Sequence, residues 1–146
     1  MADVVDSITR SRMMANISSR NTKPELFVRS ELHKLGFRFR KNVRCVKGTP
    51  DIVLNKYSAL IFTHGCFWHG HSCRYFKLPA TRREFWENKI ECNKNRDSAT
   101  ILELKNAGWR ICIVWECAIR SPKRNEHITQ IANWITSNRK FKEIRD

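Results

Sequence analysis

No apolar run in this 146-residue chain exceeds five residues. The longest, Ile111–Trp115, falls far short of the roughly 20 needed to cross hydrocarbon, and the N-terminus lacks the apolar core of an export signal. No membrane association is therefore expected, and the location expected is the cytoplasm. Internal repeats and low-complexity linkers are also missing, which leaves one compact unit over residues 1–146 as the expected organisation. Acidic residues are scarce: 14 Asp and Glu face 28 Lys and Arg, a formal charge of +14 before the histidines are counted. Such a surplus repels itself in a compact state and is usually retained because a polyanion neutralises it, so nucleic acid is the first candidate partner. What is present excludes a disordered basic tail. The apolar fraction is 41%, and eight Phe, five Trp and two Tyr supply the side chains that ordering requires. A chain of this length buries about two-thirds of the surface its unfolded form exposes, enough for one core.

Residues 1–20 contain Met13, Met14 and Ile17 but little else apolar, and read as a basic arm or short helix that orders on a partner. Thr22-Lys23-Pro24-Glu25 opens a helix, with Thr22 as cap, Pro24 in the first turn and Glu25 completing a capping box; Leu26, Phe27, Leu32 and Leu35 form its expected buried stripe, and Gly36 its stop. Phe37–Arg40 alternates as an edge strand, Asp51–Leu54 starts a second, and Asn55–Ser58 turns into a third from Ala59 to Thr63. That hairpin makes Asp51 a near neighbour of residues 62 and 63. A second capping box, Thr81–Glu84, opens a long helix to about Ala107. Trp109–Glu116 is an apolar strand with Cys117 at its end, placed parallel to the strand before the long helix, and a last helix from about Asn125 carries Ile128, Ile131, Trp134 and Ile135. The fold class is α/β, a central mixed sheet flanked by helices.

Six cysteines could staple a secreted domain, but with no export signal reduced thiols are expected, and clustered Cys and His then suggest metal. Cys66, His71 and Cys73 lie in one short loop, and Cys117 arrives from much later. A Cys3His set fills a tetrahedral shell and makes a closed, structural zinc site. By spacing alone His69 competes with His71 for the fourth place, and the competing interpretation is of ordinary loop thiols with a buried Cys117. Cys45, Cys92 and Cys112 have no His neighbour and read as packing residues. Asp51, with His64 and His69 beyond the hairpin, is a candidate hard-cation site with a histidine placed for proton transfer. Asp51 also reads as a turn residue and Glu25 as a cap. Phe67 and Trp68 interrupt the polar loop without periodic partners, and Trp86 follows Arg82 and Arg83; three such rings suit a wedge into a base stack or a cover for the loop. Trp109, Trp115 and Trp134 fit core positions.

These residues together resemble the very short patch repair (Vsr) endonucleases. The resemblance runs from about Asp6 to Cys117 and rests on Gly48-Thr49-Pro50-Asp51, the run Phe62–His69, His71-Ser72-Cys73, Phe85-Trp86, and Gly108-Trp109 through Val114-Trp115-Glu116-Cys117. It implies a restriction-endonuclease-like fold and Mg²⁺-dependent nicking of one DNA strand beside the T of a T·G mismatch, the lesion left by deamination of 5-methylcytosine. It further implies that Asp51 binds Mg²⁺ through its carboxylate and Thr63 through its main-chain carbonyl. His69 would activate water, His64 assist at the phosphate and Glu25 act through metal-bound water. Zinc would take Cys66, His71, Cys73 and Cys117. Phe67, Trp68 and Trp86 would be the wedge and the arm would embrace DNA. A monomer in the bacterial cytoplasm, associated with the nucleoid, is expected, with duplex DNA as partner and mismatch-repair proteins as further candidates. The wider nuclease fold normally supplies another acid and a lysine on the second strand, where this chain has Thr63, His64 and Gly65, so the chemistry must lean on histidine. The other readings are a zinc-stabilised DNA-binding module without catalysis and a restriction endonuclease that cuts intact duplex.

Overall fold

The computed structural model describes residues 22–44 and 46–146; the basic arm and Cys45 lie outside the described residues. Helix α1 (Lys23–Lys34) begins as the sequence predicts, with the Thr22 hydroxyl accepting from the Glu25 N–H at 3.5 Å and Pro24 in the first turn. Its inward stripe is the expected one only in part: Leu32 is buried and Phe27 packs half-buried against the core. Leu26 and Leu35 are 51% and 57% exposed, whereas Glu25, Val28, Arg29 and Leu32, spaced three, four and seven residues apart, turn inward. The geometry of one helical face thus carries two charges into the interior, where they pair across one turn at 3.5 Å. Arg29→Met removes the cation from a buried group that includes the Glu25 and Asp51 carboxyls, and is expected to destabilise the fold by roughly 3–5 kcal/mol in denaturant unfolding.

Phe37–Arg40 does not become a strand; β1 is Arg40–Lys41, and the Phe37 and Phe39 rings pack half-buried against the core. Strand β1 pairs antiparallel with β2 (Ile52–Leu54), which turns through a single 3-10 turn, Asn55–Tyr57, into β3 (Ala59–His64) with Ile52 opposite Ile61. After a loop and the long helix α2 (Arg83–Asn106), β4 (Arg110–Trp115) lies parallel to β3, from Ala59 opposite Arg110 to His64 opposite Trp115. The capping box foreseen at Thr81 does not form: Arg82 takes the cap position in a left-handed conformation (φ 57°) without a side-chain cap bond. The predicted strand ending at Glu116 stops at Trp115, because helix α3 (Glu116–Arg120) starts there and places Cys117 in its first turn. Helix α4 (Arg124–Ile135) leads to β5 (Phe141–Ile144), which the sequence reading did not foresee and which adds parallel to β4. The result is a mixed α/β fold whose five-stranded sheet runs in the order β1-β2-β3-β4-β5.

Both sheet faces are covered, which explains the continuously apolar strands β3 and β4. One face, with Ile52, Leu54, Ile61, Cys112 and Val114, packs against α1, α3 and α4; the other, with Val53, Leu60, Phe62, Ile111, Ile113 and Trp115, takes Leu104 of α2 and the cysteine loop. Period-two alternation then directs Asp51 and His64 toward the α2 side. Cys112 is a core thiol as predicted, but Cys92 is exposed on α2, contrary to its assignment to packing, because it lies off that helix's inward stripe. Among the described residues no helix is long and apolar enough to cross a membrane.

Candidate functional site

The hairpin register brings Asp51 to the end of β3, where the Thr63 N–H donates to Asp51 Oδ2 at 2.5 Å. This is the neighbourhood the sequence predicts. Burial pushes the Asp51 carboxyl up to about 7; the Thr63 N–H opposes the shift, the Glu25 charge adds to it and the Arg29 charge opposes it. Arg29 Nη2 also donates to the Asp51 carbonyl at 3.3 Å and to Asn42 Oδ1 at 3.1 Å. The Glu25 and Asp51 carboxyls thus share the field of one guanidinium, which pairs directly with Glu25, in a buried place, an arrangement that a further cation would relieve. The Thr63 hydroxyl is buried there without a hydrogen-bond partner. Oxygen donors of this kind fit a hard divalent ion such as Mg²⁺.

His64 and His69 stack face to face, ring centroids 3.8 Å apart and planes 3° from parallel. Burial, then the neighbouring His69, push the His64 pKa down to about 3, so His64 is neutral. One ligand atom from each of His64, His69 and Asp97 lies within 4.8 Å of the others, so this group too could hold a metal ion. His69 Nδ1 meets Asp97 Oδ2 at 2.5 Å. Partial burial works against ionisation of Asp97, but the His69 hydrogen bond and charge outweigh it and hold its carboxyl below the usual range. An ionised carboxylate only accepts, so Nδ1 is the nitrogen that carries a proton toward Asp97, and a lone pair on this ring can only be at Nε2.

Asp97 escaped the sequence reading. Its signal was available: Ile90, Asn93, Thr100 and Leu104 are the buried residues of α2, and 90, 93, 97, 100 and 104 trace one helical stripe.

The loop that carries His69 is fastened to α2. Asn93 Nδ2 donates to the Trp68 carbonyl at 2.9 Å, and Gly70 adopts φ +66°, where a Cβ would come within 2.7–2.8 Å of the Lys94 and Ile90 side chains. On the far side of this loop, single donor atoms of Cys66, His71, Cys73 and Cys117 lie within 4.8 Å of one another. His71 Nδ1 faces Cys117 Sγ at 3.6 Å, and the Cys117 N–H donates to Cys66 Sγ at 3.4 Å. Burial pushes the thiols of Cys66 and Cys117 up, a cost that a bound cation removes. Four converging sulfur and nitrogen donors suit zinc. His69, the spacing competitor of His71, is turned instead to Asp97.

Phe67, Trp68 and Trp86 form one half-buried cluster with centroid separations of 5.2, 5.5 and 5.8 Å, and Phe85, 44% exposed, stands against Trp86. A cavity of about 750 Å³ is lined by Phe67 and Trp68 together with Glu25, Thr63, His64, His69, Lys89 and Arg96. An adjoining one of about 370 Å³ shares Glu25, Thr63, His64, His69 and Arg96 and adds Asp51 and Asp97. Carboxylates, histidines, basic side chains and rings therefore open onto two adjoining cavities that share the Glu25, Thr63, His64, His69 and Arg96 wall.

A family model described as DNA mismatch endonuclease Vsr matches residues 2–75. The chain is 46% identical to the DNA mismatch endonuclease Vsr of Escherichia coli (strain K12), across 92% of this chain and 88% of that protein. It is 44% identical to the type II nicking enzyme V.XorIIP of Xanthomonas oryzae pv. oryzae, covering 82% and 88%, and 44% identical to the type II nicking enzyme V.NmeAIP of Neisseria meningitidis serogroup A, covering 83% and 86%.

Proposed function

Because the chain belongs to the Vsr family of DNA mismatch endonucleases, we propose that it nicks one strand of duplex DNA beside the T of a T·G mismatch by Mg²⁺-dependent hydrolysis. The observation that carries this reading is the pair of adjoining cavities, sharing His64 and His69, that the His69–Asp97 pair, Asp51, Phe67 and Trp68 line. We read the sheet as a restriction-endonuclease-like framework in one domain, residues 1–146, working as a monomer in the bacterial cytoplasm.

Asp51 and the Thr63 carbonyl would hold Mg²⁺, with Glu25 reaching it through water; the ion would supply charge stabilisation at the scissile phosphate. Asp97 holds the His69 ring in the tautomer whose Nε2 takes a proton from the attacking water. The neutral His64 ring fixes the plane of His69 and faces the phosphate. Phe67, Trp68 and Trp86 enter the base stack, where rings that return about 1–3 kcal/mol per stacked base offset the few kcal/mol lost on opening a mismatched step. The +14 charge attracts the phosphate backbone without choosing a sequence, giving salt-sensitive affinity. Cys66, His71, Cys73 and Cys117 would hold zinc, which orders the loop and leaves no position for substrate.

The test is cleavage of two duplexes that differ in one pair, T·G against T·A, in Mg²⁺. A nick confined to the T strand of the mismatched duplex is expected. Cutting of both strands in both duplexes would point to a restriction enzyme, and binding without cleavage to a DNA-binding module.

Asp51 also sets a pH dependence. In the unfolded chain this carboxyl ionises near pH 4, and in the ion-free fold only near 7. Its contribution to stability is therefore complete below about pH 4 and is lost as pH rises through about 7, by the order of a few kcal/mol. Mg²⁺ on the ionised carboxylate offsets that loss. Thermal unfolding is expected to show Mg²⁺ raising the midpoint at about pH 8 well above its effect at about pH 5; equal effects would remove Asp51 as the ligand.

A further inference from the structure

Trp115 stands between the two candidate centres. It ends β4, directly opposite His64 at the end of β3, and is 8% exposed. Its indole lies nearly parallel to the His71 ring (centroids 4.3 Å apart, planes 11° apart) and meets the His64 ring edge-on at 5.3 Å and 72°. His64 in turn stacks on His69, and His69 is held by Asp97. The rotation of the indole is fixed from a third direction, because Nε1 donates to Glu143 Oε1 on β5 at 2.6 Å. His71, Trp115, His64 and His69 therefore form an unbroken series of packed rings from the sulfur-rich cluster to the cleft.

The geometry points to Trp115 as a positioning residue that transmits the arrangement of the Cys66–His71–Cys73–Cys117 cluster to the His64–His69 pair. A tightly packed interior passes small displacements on rather than absorbing them. Any change in the tilt of His71 must be followed by the indole stacked on it, and His64 must follow the indole. Glu143 limits that freedom, which gives β5 a share in setting the cleft. This inference rests on the assignment of His69 as the proton acceptor, but the ring coupling itself is measurable without any nuclease activity.

The experiment compares the full-length, metal-loaded parent with Trp115→Leu, Trp115→Phe and Glu143→Ala. Nuclear magnetic resonance of the histidine ring carbons reads the rings directly, and kinetics on a T·G duplex read their consequence. In Trp115→Leu the His64 and His69 signals are expected to move, with kcat falling about 10- to 100-fold and KM staying within about twofold. Trp115→Phe keeps a flat ring at the same place and is expected to restore most of kcat. Glu143→Ala, an exposed change that leaves the core intact, is expected to move the same ring signals by less, and it decides the matter if Trp115→Leu does not fold. Unmoved His64 and His69 signals in the folded variants, or a kcat loss that phenylalanine does not repair, would overturn the proposal. A parent without nicking activity would sink the nuclease reading instead, while the ring signals would still decide the coupling.

Discussion

Replacing His69 by alanine is expected to slow nicking of a T·G duplex by about 10²–10⁴-fold while leaving DNA affinity nearly unchanged. The size follows from what the ring does: among the described residues it is the imidazole lining the cleft whose Nδ1 is held by a carboxylate. Its neighbour does not replace it. Burial keeps His64 neutral and packed against His69, so it supports the ring in place. Asp97→Asn is the companion test, since an amide can present its NH₂ to Nδ1 and favour the wrong tautomer. It should reproduce much of the His69 defect with KM little changed. Parent-like rates in either variant would show that the proton is taken elsewhere.

Loss of the sulfur-rich cluster is expected to unfold the protein rather than slow it. Structural zinc contributes on the order of ten kcal/mol to a domain that depends on it, comparable with the whole stability of an ordinary domain, about 5–15 kcal/mol. Cys117→Ser, or a strong chelator, should therefore abolish the cooperative thermal transition seen by circular dichroism. Cys92→Ser, at an exposed thiol, should leave it unchanged. Metal analysis should find about one equivalent of zinc in the parent. A chelated protein that melts like the parent would show that the four donors are only packed together.

The parts of this fold that were legible in the sequence are those where a local pattern had one physical solution. The Asn55–Ser58 turn sets the register of β2 and β3, and the register alone delivers Thr63 to Asp51. The apolar run at β4 and the intervening long helix leave a parallel pairing with β3 as the natural outcome. Strand β5 was hidden because only Ile144 of its four residues is buried, so at the sheet edge it carries almost no hydrophobic signature. The inward pair Glu25 and Arg29 was hidden by two exposed leucines that imitate a core stripe. Cys117 was placed at a strand end because nothing in Trp-Glu-Cys-Ala marks the change to helix, which starts without a side-chain cap. Asp97 belonged to a helix so polar that its one interior carboxylate looked like its neighbours, until the positions on either side of it in the stripe proved buried.

The four donors of the cysteine cluster are unevenly spaced, and this sets an order of assembly. Cys66, His71 and Cys73 fall within a span of eight residues, whereas Cys117 follows Cys73 by 44 residues. A nascent chain that has emerged only as far as α2 already owns a three-donor peptide, whose closure costs little chain entropy. The fourth donor comes into range only when β4 has been synthesised and aligned on β3, since α3 begins immediately after the last residue of that pairing. An ion would then be captured early and loosely, and sealed late, with the completed parallel pair acting as the latch. Folding in metal-depleted medium should stall after the hairpin has formed and before α3 docks.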